Sequence, residues 1–234
     1  MMDRCRCCVL VAGCAIMVLA VAAVEPVNFQ TFMTDCQKSV AKESDGKTSC
    51  EEVWSAFEKA YVDKDPCTVL PEAYDDLLSV APPRPKRNRM LFWSGTKAVA
   101  DKMAGGYFQT IADTLLGSVL DGKDWCGKKG SKETFTGSDC VCKGYDNAAL
   151  SFWRRASAKF AEVAEGKVYV LLNGDRQTPF YDKTIFAEYE VQGFNPDRVT
   201  NLTVVLVTKD KVVSKIIQCM KIFRKFCEPH RATL

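Results

Sequence analysis

The chain has 234 residues, 47% of them hydrophobic, and 32 basic against 29 acidic side chains give a formal net charge of +3. That composition supports a sizeable core and excludes a disordered chain, while the length suits one large domain or two small ones. A net charge this small excludes nucleic-acid binding by bulk charge, which needs a clustered basic face.

Residues 1–24 place Arg4 and Arg6 before an apolar run from Val9 to Val24, interrupted only by Gly13. Ala20-Val21-Ala22 and Val21-Ala22-Ala23 offer small residues to signal peptidase, so the segment has the three-part form of a secretory signal. The run of 16 residues falls short of the roughly 20 that span a bilayer. A cleaved signal is expected, with an uncleaved N-terminal anchor as the alternative, in which Cys5, Cys7 and Cys8 become candidates for acylation.

Ser49 and Glu52 can form a capping box, opening a helix whose Val53, Trp54, Phe57, Ala60 and Tyr61 share one face. Asp65-Pro66 closes it. A short helix is predicted over Glu72–Val80, after which Pro82, Pro83 and Pro85 break the chain into a loop. That loop carries the one dense basic cluster, Arg84, Lys86, Arg87 and Arg89; such runs are usually solvated. Met90–Trp93 reads as a brief extended segment and Asp113–Leu120 as helical. Asn147–Glu165 is a strong helix candidate ending near Gly166. Lys167–Leu172 reads as a strand turned by Asn173-Gly174, Ile185–Val191 as a second, Leu202–Thr208 as a third, and Val212–Lys225 as a helix. Helices alternating with apolar strands suggest a small, mainly parallel sheet.

Of the twelve cysteines, four lie in residues 1–24. The other eight are Cys36, Cys50, Cys67, Cys126, Cys140, Cys142, Cys219 and Cys227, and in a secreted chain they read as four disulfides. Roughly a hundred pairings are open from the count alone. Zinc is disfavoured, because Cys140-Val141-Cys142 has one intervening residue instead of about two to four and His230 is the single histidine. No metal is expected. Asn201-Leu202-Thr203 is a glycosylation sequon.

Several reaction schemes fail on the residues. There is no Gly-rich phosphate loop and no Gly-x-Ser-x-Gly elbow. A Ser-His-Asp triad would have to use His230, close to the C-terminus, and an oxidised cysteine set leaves no free thiol. What remains is carboxylates with aromatics: the repeated pairs Phe92-Trp93 and Phe152-Trp153, and Glu188-Tyr189-Glu190. The bland reading is that the tryptophans are core residues and the glutamates face water.

A resemblance changes that weighting. Leu91-Phe92-Trp93-Ser94-Gly95 resembles the Phe-Trp-Ser segment of ADP-ribosyl cyclases. Ala112-Asp113-Thr114-Leu115-Leu116-Gly117 resembles their Glu-Asp-Thr-Leu-x-Gly signature, with Trp125-Cys126-Gly127 at a matching distance. Ser151-Phe152-Trp153, Val170-Leu171-Leu172-Asn173-Gly174 and Thr184-Ile185-Phe186-Ala187-Glu188-Tyr189-Glu190 follow in family order. The resemblance runs from about Cys36 to Cys227.

The resemblance implies a mixed α/β ectoenzyme: a signal or anchor over 1–24, a mainly helical part over 25–144, and an α/β part over 145–234. That last part would hold a short, mainly parallel four-stranded sheet flanked by helices, with the active cleft between the two parts. It implies cleavage of the nicotinamide–ribose bond of NAD to cyclic ADP-ribose, ADP-ribose or both. NAD is then the substrate, NADP a second candidate, and no cofactor is needed. Glu190 would be the catalytic carboxylate, stabilising an oxocarbenium-like ribosyl cation. Trp93 and Trp153 would flank the nicotinamide, and Asp121 would bond its carboxamide. Asp113 belongs to the signature and would lie at the substrate or serve the helix start. Ser94, Ser157 and the backbone at Ile185 and Phe186 would hold phosphates. Disulfides 36–50, 67–142, 126–140 and 219–227 are implied as well.

Two positions depart from the pattern. Ala112 stands where the signature has a glutamate that influences the balance of hydrolysis and cyclisation. Ile185 stands where the mollusc-type cyclase has Phe and the mammalian ectoenzyme Thr. The alternatives are a catalytically weak receptor or adhesion protein that keeps the fold, favoured by Ala112, and a glycosidase for another N-riboside. A secreted or membrane-anchored chain is expected, with no nucleic-acid partner, membrane contact only through an uncleaved N-terminus, and a homodimer left open.

Overall fold

The computed structural model describes residues 25–42, 48–143, 146–209 and 212–217, with side chains from 27 to 209 within those segments. The signal or anchor at 1–24, the proposed 219–227 disulfide and His230 lie outside them.

The helical layer is built by α1 (Phe29–Val40) and α2 (Cys50–Tyr61), then a 3-10 turn (Pro71–Tyr74) running into α3 (Asp75–Val80). The Ser49 hydroxyl accepts the Glu52 backbone N–H at 3.3 Å and donates to the Glu51 carboxylate. The helix stops at Tyr61, before Asp65-Pro66. Its apolar face joins Phe32, Phe57, Tyr61 and Tyr74 around Trp125, which is fully buried. The Trp125 indole N–H donates to the Tyr74 hydroxyl, and that hydroxyl donates to the Ala148 carbonyl, each at 2.9 Å. A buried polar chain satisfied end to end fixes one arrangement of the core. It ties the helical layer to the first turn of α6 (Ala148–Glu162), capped by the Asn147 side chain on the Leu150 N–H.

The sheet has four strands in the order β2 (Met90–Ser94), β4 (Gly166–Asn173), β5 (Val199–Val207), β6 (Val212–Ile217). The first two pairings are parallel and the last is antiparallel, so the expectation of a mainly parallel sheet holds. A two-residue parallel pair joins β1 (Glu25–Pro26) and β3 (Lys123–Asp124). Val168, Val170 and Leu172 point inward with Met90, Phe92 and Val204 against α6. Leu91 and Leu171 face the other side, covered by α4 (Lys97–Ala104) through Ala100.

Two expectations need correction. Ile185–Val191 is not a strand: Phe186–Glu190 is a π-helical turn, followed by a 3-10 turn over Val191–Gly193. Short alternating runs do not distinguish strand from helix, and packing against α6 decided for the helix. Val212–Ile217 is a strand, not the start of a helix, because its β-branched residues complete the free edge of β5; residues 218–225 lie outside the described segments. Contacts run between the segments before and after residues 144–145. Strand β2, from the first part, forms the sheet edge, and the N-terminal half of α6 belongs to the helical core.

Cys36–Cys50, Cys67–Cys142 and Cys126–Cys140 are bonded, as the resemblance implied. Three bonds of this kind fit an oxidising compartment. Among the described residues no helix is long and apolar enough to cross a membrane.

Candidate active site

A cleft of about 390 Å³ opens where the carboxyl ends of β2 and β4 meet α6 and the π turn. In parallel sheets ligands bind at this end of the strands, where loops and helix termini converge.

Each side chain reaches the cleft for a local reason. Trp93 and Ser94 are the last residues of β2, and Gly95 turns the chain away with φ +70°. On α6, Phe152 points into the helical core, and Trp153 is one helical step round from it. Trp153, Ser157 and Phe160 follow at i, i+4 and i+7, so one stripe of α6 lines the cleft. The π turn begins at Phe186 and brings Phe186 and Glu190 to one buried side, leaving Glu188 exposed. A strand would have put Glu188 and Glu190 on the same face.

Glu190 is 6% exposed and lines the cleft. Burial pushes its carboxyl up to about 8, and a hydrogen bond from the Ser157 side chain pulls the other way. Desolvation disfavours the charged form, and donation to it restores part of the loss.

At the mouth stand two cations. Lys97 lies 3.1 Å from Asp121 and 3.3 Å from Asp101, with its ammonium 5.9 Å from the centre of the Trp93 ring. Partial burial pulls the ammonium down, but hydrogen bonds and charges from Asp121 and Asp101 outweigh it and hold Lys97 above its ordinary value. Arg176, from the turn after β4, lays its guanidinium against Gly95, where a Cβ would stand 3.0 Å from the nearest guanidinium nitrogen. The missing side chain at Gly95 makes room for Arg176 at the rim.

Of the residues singled out from the sequence, Glu190, Trp93, Trp153, Asp121, Ser94, Ser157, Ile185 and Phe186 all line the cleft. Asp113 does not. Its carboxylate accepts the Thr110 backbone N–H at 2.7 Å and the Thr110 hydroxyl at 2.9 Å, closing a capping box at the 3-10 turn Ile111–Asp113. That is the helix-start role, and it presents Ala112 to the cleft. Ser157 lines the cleft and bonds the Glu190 carboxyl. Sequence reading quoted Thr184 in its motif without a role and missed Lys97, Asp101 and Arg176. They sit in polar turns or on an exposed helix face, where no periodicity marks them.

A family model described as ADP-ribosyl cyclase matches residues 28–224. ADP-ribosyl cyclase/cyclic ADP-ribose hydrolase 1 of Oryctolagus cuniculus is 36% identical over 161 residues, 65% of this chain and 53% of that protein. ADP-ribosyl cyclase/cyclic ADP-ribose hydrolase 2 of Homo sapiens is 32% identical over 67% of this chain and 50% of its own length. The chain therefore aligns with about half the length of these curated relatives. Among solved structures, porcine CD38 complexed with a covalent intermediate, ribo-F-ribose-5'-phosphate, superposes with TM-score 0.68 at 31% identity, over 74% of this chain and 77% of that one. Aplysia cyclase complexed with substrate NGD and product cGDPR gives 0.69 at 25% identity, over 82% and 80%.

Proposed function

The chain belongs to the ADP-ribosyl cyclase family, and from that premise we propose that it cleaves the nicotinamide–ribose bond of NAD to give cyclic ADP-ribose, ADP-ribose or both. The observation that carries this reading is the buried carboxyl of Glu190 in a cleft walled by Trp93 and Trp153.

The chemistry suits that arrangement. The pyridinium of NAD is already a good leaving group, so its departure needs little acid catalysis. What develops is positive charge on the ribose, and a carboxylate in a water-poor pocket stabilises it electrostatically. Glu190 is largely protonated at neutral pH while the cleft is empty. A cationic substrate nearby favours the ionised form, so binding NAD itself helps to create the carboxylate that the reaction uses. The indoles of Trp93 and Trp153 offer apolar walls and attract the pyridinium through their faces.

Arg176 at the rim, with Ser94 and the backbone at Ile185 and Phe186, is assigned to the pyrophosphate. Lys97 holds Asp121 in place for the nicotinamide carboxamide. NAD thus acts as substrate, not as a resident cofactor. Water attack on the ribosyl cation gives ADP-ribose, and attack by the substrate's own adenine gives the cyclic product. With Ala112 lining the cleft, that wall offers no carboxylate to orient a water molecule, which favours internal attack. NADP is a second candidate substrate. We assign the chain to the secretory pathway on its N-terminal segment and its disulfides, and Asn201 as a glycan site; its side chain accepts from the Thr203 hydroxyl on the outer face of β5.

The test is to incubate the oxidised, folded protein with NAD and resolve the products by chromatography. Nicotinamide with cyclic ADP-ribose, ADP-ribose or both is expected. Glu190→Gln is expected to lower turnover by about 1,000-fold or more, equivalent to roughly 4 kcal/mol of transition-state stabilisation. Thermal stabilisation by NAD without nicotinamide release would instead make this a binding protein.

A further inference from the structure

The basic loop is not absorbed by the cleft. Between Asp76 and Asp101 the sequence has no acidic residue, yet it holds Arg84, Lys86, Arg87 and Arg89 in six positions. All four are exposed, as is Lys167.

A cluster of this kind is often a solvated, mobile run, but here its backbone is clamped on both sides. The Gln109 carboxamide accepts the Lys86 N–H at 2.6 Å and donates to the Arg84 carbonyl at 2.9 Å. The Gln109 backbone N–H donates to the Arg89 carbonyl at 2.7 Å. Across the loop, the Asn88 backbone N–H donates to the Glu165 carbonyl, and the Asn88 side chain accepts the Lys167 N–H at 2.9 Å. Asn88 itself takes the left-handed conformation, φ 65°. The Met90–Val168 register puts Arg89 beside Lys167, and the Arg89 guanidinium rests 4.7 Å from the centre of the Tyr107 ring. Glu165, whose backbone carbonyl holds the loop, lies 3.7 Å through its carboxylate from Arg198. A charged surface fixed in advance loses little backbone entropy when a ligand binds.

We propose that Arg84, Lys86, Arg87, Arg89 and Lys167 form a docking site for a sulfated polysaccharide. The chemistry is repeated anionic groups met by guanidinium forks and ammonium charges. The disulfides fit an oxidising compartment, where such polymers are the abundant polyanions and nucleic acids are not. Anionic lipid is concentrated in the cytoplasmic leaflet. The exposed aromatic beside the loop, Tyr107, has its ring against the Arg89 guanidinium. The loop enters β2 at its amino end and the cleft opens at its carboxyl end, about 15 Å away over five residues. Docking would therefore leave the cleft open and would hold the protein on a matrix.

The test is isothermal titration of the folded, oxidised protein with a heparin dodecasaccharide at 150 mM NaCl. Binding is expected, and the R84Q/K86Q/R87Q/R89Q variant is expected to bind at least tenfold more weakly. Its log–log salt slope should fall by about 3, at roughly the per-contact value found for nucleic-acid phosphates. NAD turnover and melting temperature should stay at the parent values. A control with equal charge loss elsewhere, K128Q/K129Q/K132Q/K143Q, should keep at least half the parent affinity. Absence of binding by the parent, an unchanged affinity in the loop variant or an equal loss in the control would overturn the proposal. So would tighter binding to phosphatidylserine vesicles than to heparin.

Discussion

Glu190 shows how much one residue's surroundings decide. Its carboxyl loses water on entering the fold, so its proton is held up to about 8, whereas the unfolded chain releases it near 4.5. Between those values the native state binds a proton that the unfolded state has lost. Stability therefore falls as pH rises through the window, by up to about 1.4 kcal/mol per pH unit. A pH series of melting temperatures should show that slope in the parent and lose it in Glu190→Gln. The same ionisation governs catalysis on our proposal: kcat/KM for NAD should rise with pH to a plateau, with its midpoint at about 8, since that parameter reports the free enzyme. Ser157→Ala removes the hydrogen bond that favours the carboxylate, so its pH profile should shift to higher pH. Arg176 makes a different kind of claim. A guanidinium assigned to phosphate and exposed at the rim contributes binding more than chemistry. Steady-state kinetics of Arg176→Gln should show KM about tenfold higher, equivalent to roughly 1.4 kcal/mol, with kcat within a factor of about two.

At the scale of elements, two short turns set the cleft. The π turn at Phe186–Glu190 widens the helix by one residue and rotates Glu190 inward, and such turns recur at functional sites. The 3-10 turn Ile111–Asp113 is held from behind by α5 (Leu115–Leu120), because Gly117 lets the Ile111 carbonyl come into contact with its backbone. A Cβ at Gly117 would land on that carbonyl, so Gly117→Ala must push the turn and Ala112 toward the cleft. Denaturant unfolding should show a loss of about 2–4 kcal/mol, and the product ratio from NAD should change with it. The glycine of the signature is thus explained by close approach, and its aspartate by capping.

For the whole molecule, the disulfides connect what the sequence separates. Cys67–Cys142 closes a loop of 75 residues that contains β2, α4 and α5, whereas the other two bonds each span 14. Loop-closure entropy predicts about 4 kcal/mol from the long bond and about 3 from each short one. Chemical denaturation of Cys67→Ser/Cys142→Ser should therefore show the largest loss among the three paired variants. The parent and the two short-loop variants, measured under the same oxidising conditions, supply the comparison.

The sequence alone determined the elements with strong local signals. Capping side chains and 3.6-residue periodicity placed α2 and α6, and β-branched runs bounded by Gly and Asn placed β4 and β5. Trp93, Ser94, Trp153, Ile185, Phe186 and Glu190 were legible through the ordered motifs that carry them, whereas Lys97, Asp101, Ile111, Phe160 and Arg176 were not. Tertiary structure decided the rest. Ile185–Val191 fits a strand by its alternation, and only burial against α6 winds it into a π turn. Asp113 is the same residue in either role until Thr110 is seen to take both of its contacts. Arg176 reaches the rim by lying against Gly95, which is distant in sequence. Local propensities act within a few residues, whereas burial and charge depend on which distant segments meet.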